Sequence, residues 1–271
     1  SSTDQVPTEV VCDFANKIDA QVIYSVNGDN SASATFERNL GHLMLGGNPD
    51  AVDAWNNINK NDTLIFLGID VGEYVLNLKG LPKCNCFCFT NHSIAYGQIK
   101  GSYKHLTRHF YQQINGDITT SLKFFLEKTQ NSTFPHHDTF QKNQVAIKPL
   151  QTTSSKHHIN LISFYEKLDS LWKPDTLAFE DICIAYRDRQ AILMNPNPKV
   201  KMFSANHGSA MGGAFGMGVG ASLHTHKKVF IFSGDGCFRI YGGNLAEAAN
   251  LNITLFVFNN MELSLIQHGC E

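Results

Sequence analysis

Apolar positions along the chain follow two alternating rhythms. Within Val6–Ala20, residues Val10, Val11, Phe14, Ala15 and Ile18 recur at helical spacing, with Pro7 near the start. Gln21–Val26 reads as a short strand and Asn27-Gly-Asp-Asn30 as a turn. Leu43–Gly47 is compact and ends on glycine, and Ala51–Ile58 has a helical pattern. Leu64-Ile-Phe-Leu-Gly-Ile69 is a nearly unbroken apolar run, the pattern of a strand buried on both faces. Cys84–Thr90 is a further strand. Its alternation puts Cys84, Cys86 and Cys88 on one face, as small buried apolar side chains. Ser121–Lys128 is a helix. Helix and strand alternate, which predicts an α/β domain built on a parallel sheet.

The pattern breaks over residues 131–158. That stretch is rich in Gln, Lys, Thr, Ser and His with scattered apolar residues, so it reads as a linker. His136, His137, His157 and His158 are then solvated linker histidines. Regular spacing resumes with an amphipathic helix over Ile159–Trp172, ahead of Pro174. Thr176–Phe179, Val200–Ser204, Val229–Ser233 and Ile253–Phe258 read as strands, with helices over Met211–Leu223 and Leu245–Leu251. The chain therefore divides into a first domain over 1–130, a linker over 131–158 and a second domain over 159–271. Both are expected to be α/β, with doubly wound parallel sheets. The first starts on a helix with no strand before it, and only 13 residues follow Phe258. The expectation is of two partial domains, truncated at both ends.

Composition narrows the function classes. At 271 residues there is enough chain for two real cores, and 42% apolar against 17% charged residues excludes a disordered chain. The formal net charge of -2 gives no basic surface, so nucleic acid is not expected as a partner. No apolar run is long enough to span a membrane, and the polar opening residues are not a secretory signal. Seven cysteines in scattered positions, with no CxxC pair, point away from a disulfide framework or zinc site and toward a cytoplasmic location.

The candidate chemistry lies in the second domain. Val229-Phe-Ile-Phe-Ser-Gly234-Asp235-Gly236-Cys237-Phe238 is a buried strand that delivers a carboxylate at its C-terminal end, where ligands bind in open α/β sheets. The flanking glycines allow a sharp turn and close approach of the backbone to a ligand. Phe256-Val-Phe-Asn259-Asn260 delivers amides at the end of a second strand. If the two strands are neighbours, Asp235 and an asparagine oxygen converge into a hard-oxygen set suited to Mg2+. Such a site usually also holds phosphate, which backbone N–H groups of Gly236, Cys237 and Phe238 are placed to bind.

Gly234-Asp235-Gly236 with Asn259-Asn260 some 25 positions on resembles the signature of thiamine-diphosphate (ThDP) enzymes of the acetolactate synthase and 2-oxo-acid decarboxylase type. Gly208-Ser-Ala-Met211-Gly212-Gly-Ala-Phe-Gly216-Met-Gly218-Val-Gly220-Ala is similar to the glycine-rich helix that precedes that signature, and Leu245-Ala-Glu-Ala-Ala-Asn-Leu251 to the helix between its halves. Residues Val6–Lys128, including Asp62-Thr-Leu-Ile-Phe-Leu-Gly68, resemble the middle domain of these enzymes. The resemblance implies that Asp235, Asn260 and the carbonyl of Glu262 ligate Mg2+. It implies that Gly234, Gly236, Cys237 and Phe238 border the diphosphate, with Gly236 and Cys237 donating backbone N–H groups to it. Met211 would lie under the thiazolium ring and the Ser209 carbonyl would meet the aminopyrimidine. It further implies a 2-oxo acid substrate, decarboxylation or carboligation with acetolactate-synthase-like ligation leading, and a homodimer or homotetramer with the cofactor site at a subunit interface. FAD, bound by some relatives, has no support in these residues.

Two departures stand out. The interval between Gly236 and Asn259 holds 22 residues, about two short of the family pattern. The family's activating glutamate belongs to a separate N-terminal domain, and no residue here takes that role, so the catalytic residue is unassigned. A non-catalytic or regulatory fragment is therefore one alternative. Another is an NAD(P)-dependent oxidoreductase, because Gly216-Met-Gly218-Val-Gly-Ala221 formally matches a dinucleotide fingerprint. Outside the signature, Asp181 reads as structural at least as readily as functional, His207 and His268 as loop residues, and Arg187-Asp188-Arg189 as a solvated charge cluster.

Overall fold

A computed structural model describes residues 6–25, 28, 31–33, 35–43, 47–69, 81–91, 110–135, 159–183, 189, 201–205 and 210–264. The chain forms two compact units, Ser1–Ala146 and Ile147–Glu271. Most of the 131–158 stretch, including all four of its histidines, lies outside the described residues.

In the first unit, helix α1 (Thr8–Lys17) starts directly after Pro7 and ends before Asp19, whose φ of 57° stops helical propagation. Strand β1 (Val22–Tyr24) pairs in parallel with β2 (Asn39–His42). Helix α2 (Pro49–Asn57) follows, then a parallel sheet ordered β3 (Thr63–Leu67), β4 (Asn85–Thr90), β5 (Tyr111–Asn115), and helix α3 (Ile118–Lys128). The described strands thus form two parallel sheets where one was expected.

Cys84, Cys86 and Cys88 share one buried face with Leu43, Trp55 and Phe66. Strand β3 departs from the expectation of two buried faces. It is an edge among the described strands, and only Phe66 is buried in it. Strands β2 and β5 were not anticipated, because Asn-Leu-Gly-His and Tyr-Gln-Gln-Ile-Asn lack an apolar alternation. Buried β2 pairs several of its polar groups locally. Asn39 Nδ2 donates to the Ser33 carbonyl at 3.1 Å, and Asn48 Oδ1 accepts the His42 N–H at 2.9 Å.

In the second unit, helix α4 (Leu161–Asp169) leads into a sheet of β6 (Leu177–Glu180), β7 (Lys201–Ser204), β8 (Val229–Gly234) and β9 (Ile253–Phe258). All pairings are parallel and the order is β7-β6-β8-β9. Helix α5 (Gly213–Thr225) connects β7 to β8, and α6 (Asp235–Tyr241) opens directly off β8. Successive residues of β8 explain why both sheet faces are covered. Phe232, with Phe230 packed beside it, joins Tyr165, Leu168 and Trp172 on the α4 side. Val229 and Ile231 join Ala214, Phe215, Cys237 and Tyr241 on the α5 side. An apolar residue at every position from Val229 to Phe232 is the mark of a central parallel strand.

The helix expected over Leu245–Leu251 is instead a 3-10 segment, Gly242–Ala248, continuing α6. It buries none of its residues, so no apolar face favours an α-helix there. Gly242 and Gly243 weaken the α-helical alternative further.

Candidate cofactor site

The order β7-β6-β8-β9 reverses direction once. From β6 the chain steps outward to β7, then crosses back to β8 and β9. At such a switch point the connections leave on opposite faces, opening a crevice at the C-terminal ends of the two central strands. Those ends carry Glu180-Asp181 on β6 and Gly234-Asp235 on β8.

Register aligns the signature. Gly234 pairs with Phe258, so Asp235 and Asn259 leave adjacent parallel strands in step. Neighbouring strands lie about 4.8 Å apart, which brings Asp235 and the asparagine pair into one region. Asp235 opens α6, with 15% of its side chain exposed and Arg239 Nη2 at 3.9 Å from Oδ2. Beyond β9 the chain folds into a tight turn. Asn259 Oδ1 accepts the Met261 N–H at 3.1 Å, and Asn260 Oδ1 accepts the Glu262 N–H at 3.2 Å. Asn260 Nδ2 donates to Ser264 Oγ at 2.6 Å, which fixes the amide orientation with its oxygen toward Glu262.

Close approach explains the second glycine of the signature. A Cβ built on Gly236 would lie 3.2 Å from Met211 Cε and 2.7 Å from Leu263 Cδ2. Met211 is therefore packed over the first turn of α6. Leu263, which follows the proposed ligand Glu262 and was not singled out by sequence, shares that spot. Gly234 meets the chain after β6, since a Cβ there would lie 2.9 Å from Cys183 Cβ. Ser209, His207, Arg187, Asp188 and His268 lie outside the described residues.

The donor types here are of the kind that suits Mg2+ with a diphosphate. Among the described residues no three His, Cys, Asp or Glu side chains gather as a metal-binding group. A Mg2+ held by one carboxylate, neutral oxygens and a ligand's phosphates needs no such cluster. Asp235, Asn260 Oδ1 and the backbone at Glu262 make that kind of set. The N–H groups of Gly236 and Cys237 occupy the first turn of α6, where intrahelical acceptors are lacking.

Beneath this surface lies a buried polar network. Asp181, 1% exposed, accepts the Ala214 N–H on Oδ1 at 3.0 Å and the Ser233 O–H on Oδ2 at 2.8 Å. Burial raises its carboxyl above the ordinary range, while the N–H groups of Ala214 and Gly212 and the Ser233 hydroxyl pull it back. Burial, then the neighbouring Asp181 charge, pushes the Cys237 thiol up to about 11. That thiol is neutral at ordinary pH and poorly nucleophilic. Burial likewise pushes Tyr241, stacked on Phe215 at 4.5 Å, up to about 12.

Two sequence readings are corrected here. Arg189 is not on a solvated face. It is 1% exposed and forked onto Glu180, with Nε to Oε1 at 2.6 Å and Nη2 to Oε2 at 2.5 Å, and Ser204 Oγ donates to the same carboxylate at 3.0 Å. A sequence pattern could not reveal this, because its partner is nine residues back on β6. The dinucleotide alternative also fails. Gly216, Gly218 and Ala221 sit inside α5, which begins at Gly213, so their N–H groups are within the helix rather than at a strand-to-helix turn. Gly218 serves packing instead. A Cβ there would lie 2.5 Å from Ile231 Cδ1.

No curated protein matches this chain. Residues 189–271 match the family model described as thiamine pyrophosphate enzyme, C-terminal TPP binding domain. Through that segment, which holds the glycine-rich helix, Asp235 and the asparagine pair, the chain is similar to the C-terminal TPP-binding domain of thiamine pyrophosphate enzymes.

Proposed function

We propose that the chain is part of a ThDP- and Mg2+-dependent enzyme that acts on a 2-oxo acid by decarboxylation, carboligation or both, with acetolactate-synthase-like ligation as the leading subclass. The observation that carries the reading is the in-step exit of Asp235 and Asn259-Asn260 from paired strands within the matched segment. In this proposal Asp235, Asn260 Oδ1 and the Glu262 carbonyl hold Mg2+. Gly234 lets the backbone turn, and the N–H groups of Gly236, Cys237 and Phe238 receive the diphosphate. Met211 would support the thiazolium ring, and Ser209 would offer its carbonyl to the aminopyrimidine. The bound cofactor supplies a nucleophilic carbon and an electron sink. The chain's own residues bind it, set its conformation and shield it from water. The proton relay to the pyrimidine ring is assigned to no residue of these 271. The same proposal takes a homodimer or homotetramer with the site at a subunit interface, in the cytoplasm.

The test is thermal unfolding of the full chain with ThDP, with and without Mg2+. A ligand that binds only the folded state adds about 2.7 kcal/mol of stability at a hundredfold excess over Kd. A Mg2+-dependent rise in Tm is expected in the parent. In Asp235→Ala the fold should persist and ThDP affinity should drop on the order of a hundredfold. Normal affinity in that variant removes the metal assignment. If the parent shows no shift with ThDP and Mg2+, the cofactor reading gives way to that of a non-catalytic fragment.

A further inference from the structure

We infer that Asp181 is a positioning residue that couples the two halves of the cofactor site, the Met211 half and the Asp235 half, by bonding to both through one buried carboxylate. This rests on the cofactor reading above for its functional meaning and on geometry for its existence.

The geometry is direct. Oδ1 accepts the N–H of Ala214, three residues after Met211, at 3.0 Å. Oδ2 accepts the hydroxyl of Ser233, two residues before Asp235, at 2.8 Å. The N–H of Gly212, adjacent to Met211, also faces the carboxylate. The Asp181 backbone is itself anchored, its N–H donating to the Phe232 carbonyl at 2.9 Å. These partners come from segments 33 and 52 residues away in the chain. They meet only because β6 lies beside β8 at the switch point.

The arrangement has a chemical consequence. Gly212, at φ 85°, leaves the chain a left-handed step just before α5, a conformation that needs external support to be unique. Asp181 supplies that support and at the same time fixes where β8 ends. The distance between the Met211 side chain and Asp235 is then set by one rigid group. A ligand held at both ends needs its two contacts placed to within about 0.5 Å. Burying a carboxylate is costly, so the three donors are what hold Asp181 in place.

The experiment compares Asp181→Asn, Ser233→Ala and their double variant in the full chain, with Met202→Ala as a control. Met202 is buried on the opposite face of the sheet, in the cluster of Tyr165, Leu168 and Trp172. Two readouts are taken: ThDP affinity in Mg2+, and amide hydrogen exchange without ligand. Asp181→Asn is expected to weaken ThDP at least about tenfold, as loss of a supporting partner does elsewhere. Ser233→Ala should weaken it several-fold, and the double variant no more than Asp181→Asn alone, because both break one unit. Exchange should accelerate at residues 211–214 and 233–238 together in Asp181→Asn, and in neither segment in Met202→Ala. Equal loss of affinity in Asp181→Asn and Met202→Ala at matched stability would reduce Asp181 to a fold residue and overturn the proposal. Acceleration in one segment without the other would overturn it as well. If the parent chain takes up no ThDP, the cofactor reading fails, and the exchange pattern alone decides the coupling.

Discussion

The two units use one construction and end differently. Both lay parallel strands beside one another and cover them with helices. In the first, the three-stranded sheet runs β3-β4-β5 in simple succession, so no reversal opens a crevice among those described strands. Its strand-end acid, Asp117, is spent on a helix cap. Its Oδ1 accepts the Thr120 N–H at 2.7 Å, and the Thr120 hydroxyl together with that N–H holds its carboxyl below the ordinary range. In the second, the order reverses between β6 and β8; Asp181 is buried and bonded to Ser233 of β8, while Asp235 is half-shielded beside Arg239 of its own helix. Similar construction thus gives a capped strand end in one place and a reversal of strand order in the other. Strand order makes the difference.

The largest expected break in that contrast is at Glu180. Glu180→Ala removes the buried carboxylate onto which Arg189 is forked and should cost about 3–5 kcal/mol, read by denaturant unfolding of the second unit. Glu180→Leu with Arg189→Met should cost much less, since no charge is left stranded. A single variant as mild as the double would show that Arg189 reaches water.

Next comes the glycine-rich helix. Gly218→Ala drives a methyl group into Ile231 and should destabilise by about 1–3 kcal/mol. Gly216→Ala meets nothing within 4 Å and should stabilise by up to about 1 kcal/mol through helix propensity. Opposite signs in the two melting curves would separate packing glycines from permissive ones on one element.

In the first unit, Asp117→Ala should cost only about 1 kcal/mol, the worth of an N-cap. Its effect on ThDP affinity should be nil. A drop in affinity would refute the division of labour between the units.

The smallest effect at neutral pH is the alkaline one. Burial pushes Cys86 up to about 12 in the first unit and Cys237 up to about 11 in the second, from an ordinary 9.0. The folded state keeps these protons where the unfolded chain has lost them. Their contribution is therefore fully present below pH 9 and is lost as pH rises through those values. Cys86→Ala and Cys237→Ala should each flatten the fall of Tm between pH 9 and 11. An unchanged slope would mean that these thiols are hydrated in the native state.

Much of this was legible along the chain, for a physical reason. Apolar alternation reports the faces a segment must bury, so β4, β8 and β9 were found close to their observed bounds. The Gly-Asp-Gly and Asn-Asn pairs stand out because such residues end strands and turn backbones. Polar β2 and β5 carry no such signal. The 3-10 segment was misread because Leu245, Ala246 and Ala248 imitate helix spacing where no face is buried. The sequence by itself thus determined the type of the strongly patterned elements, the α/β class and the signature residues, all of which follow from local periodicity and backbone preference. Only the tertiary structure decided that Arg189 is buried on Glu180, that Gly218 packs on Ile231, and that Asp181 holds Ala214 and Ser233. Those contacts depend on strand order and register, which bring distant positions together, and no periodicity within a single segment encodes them.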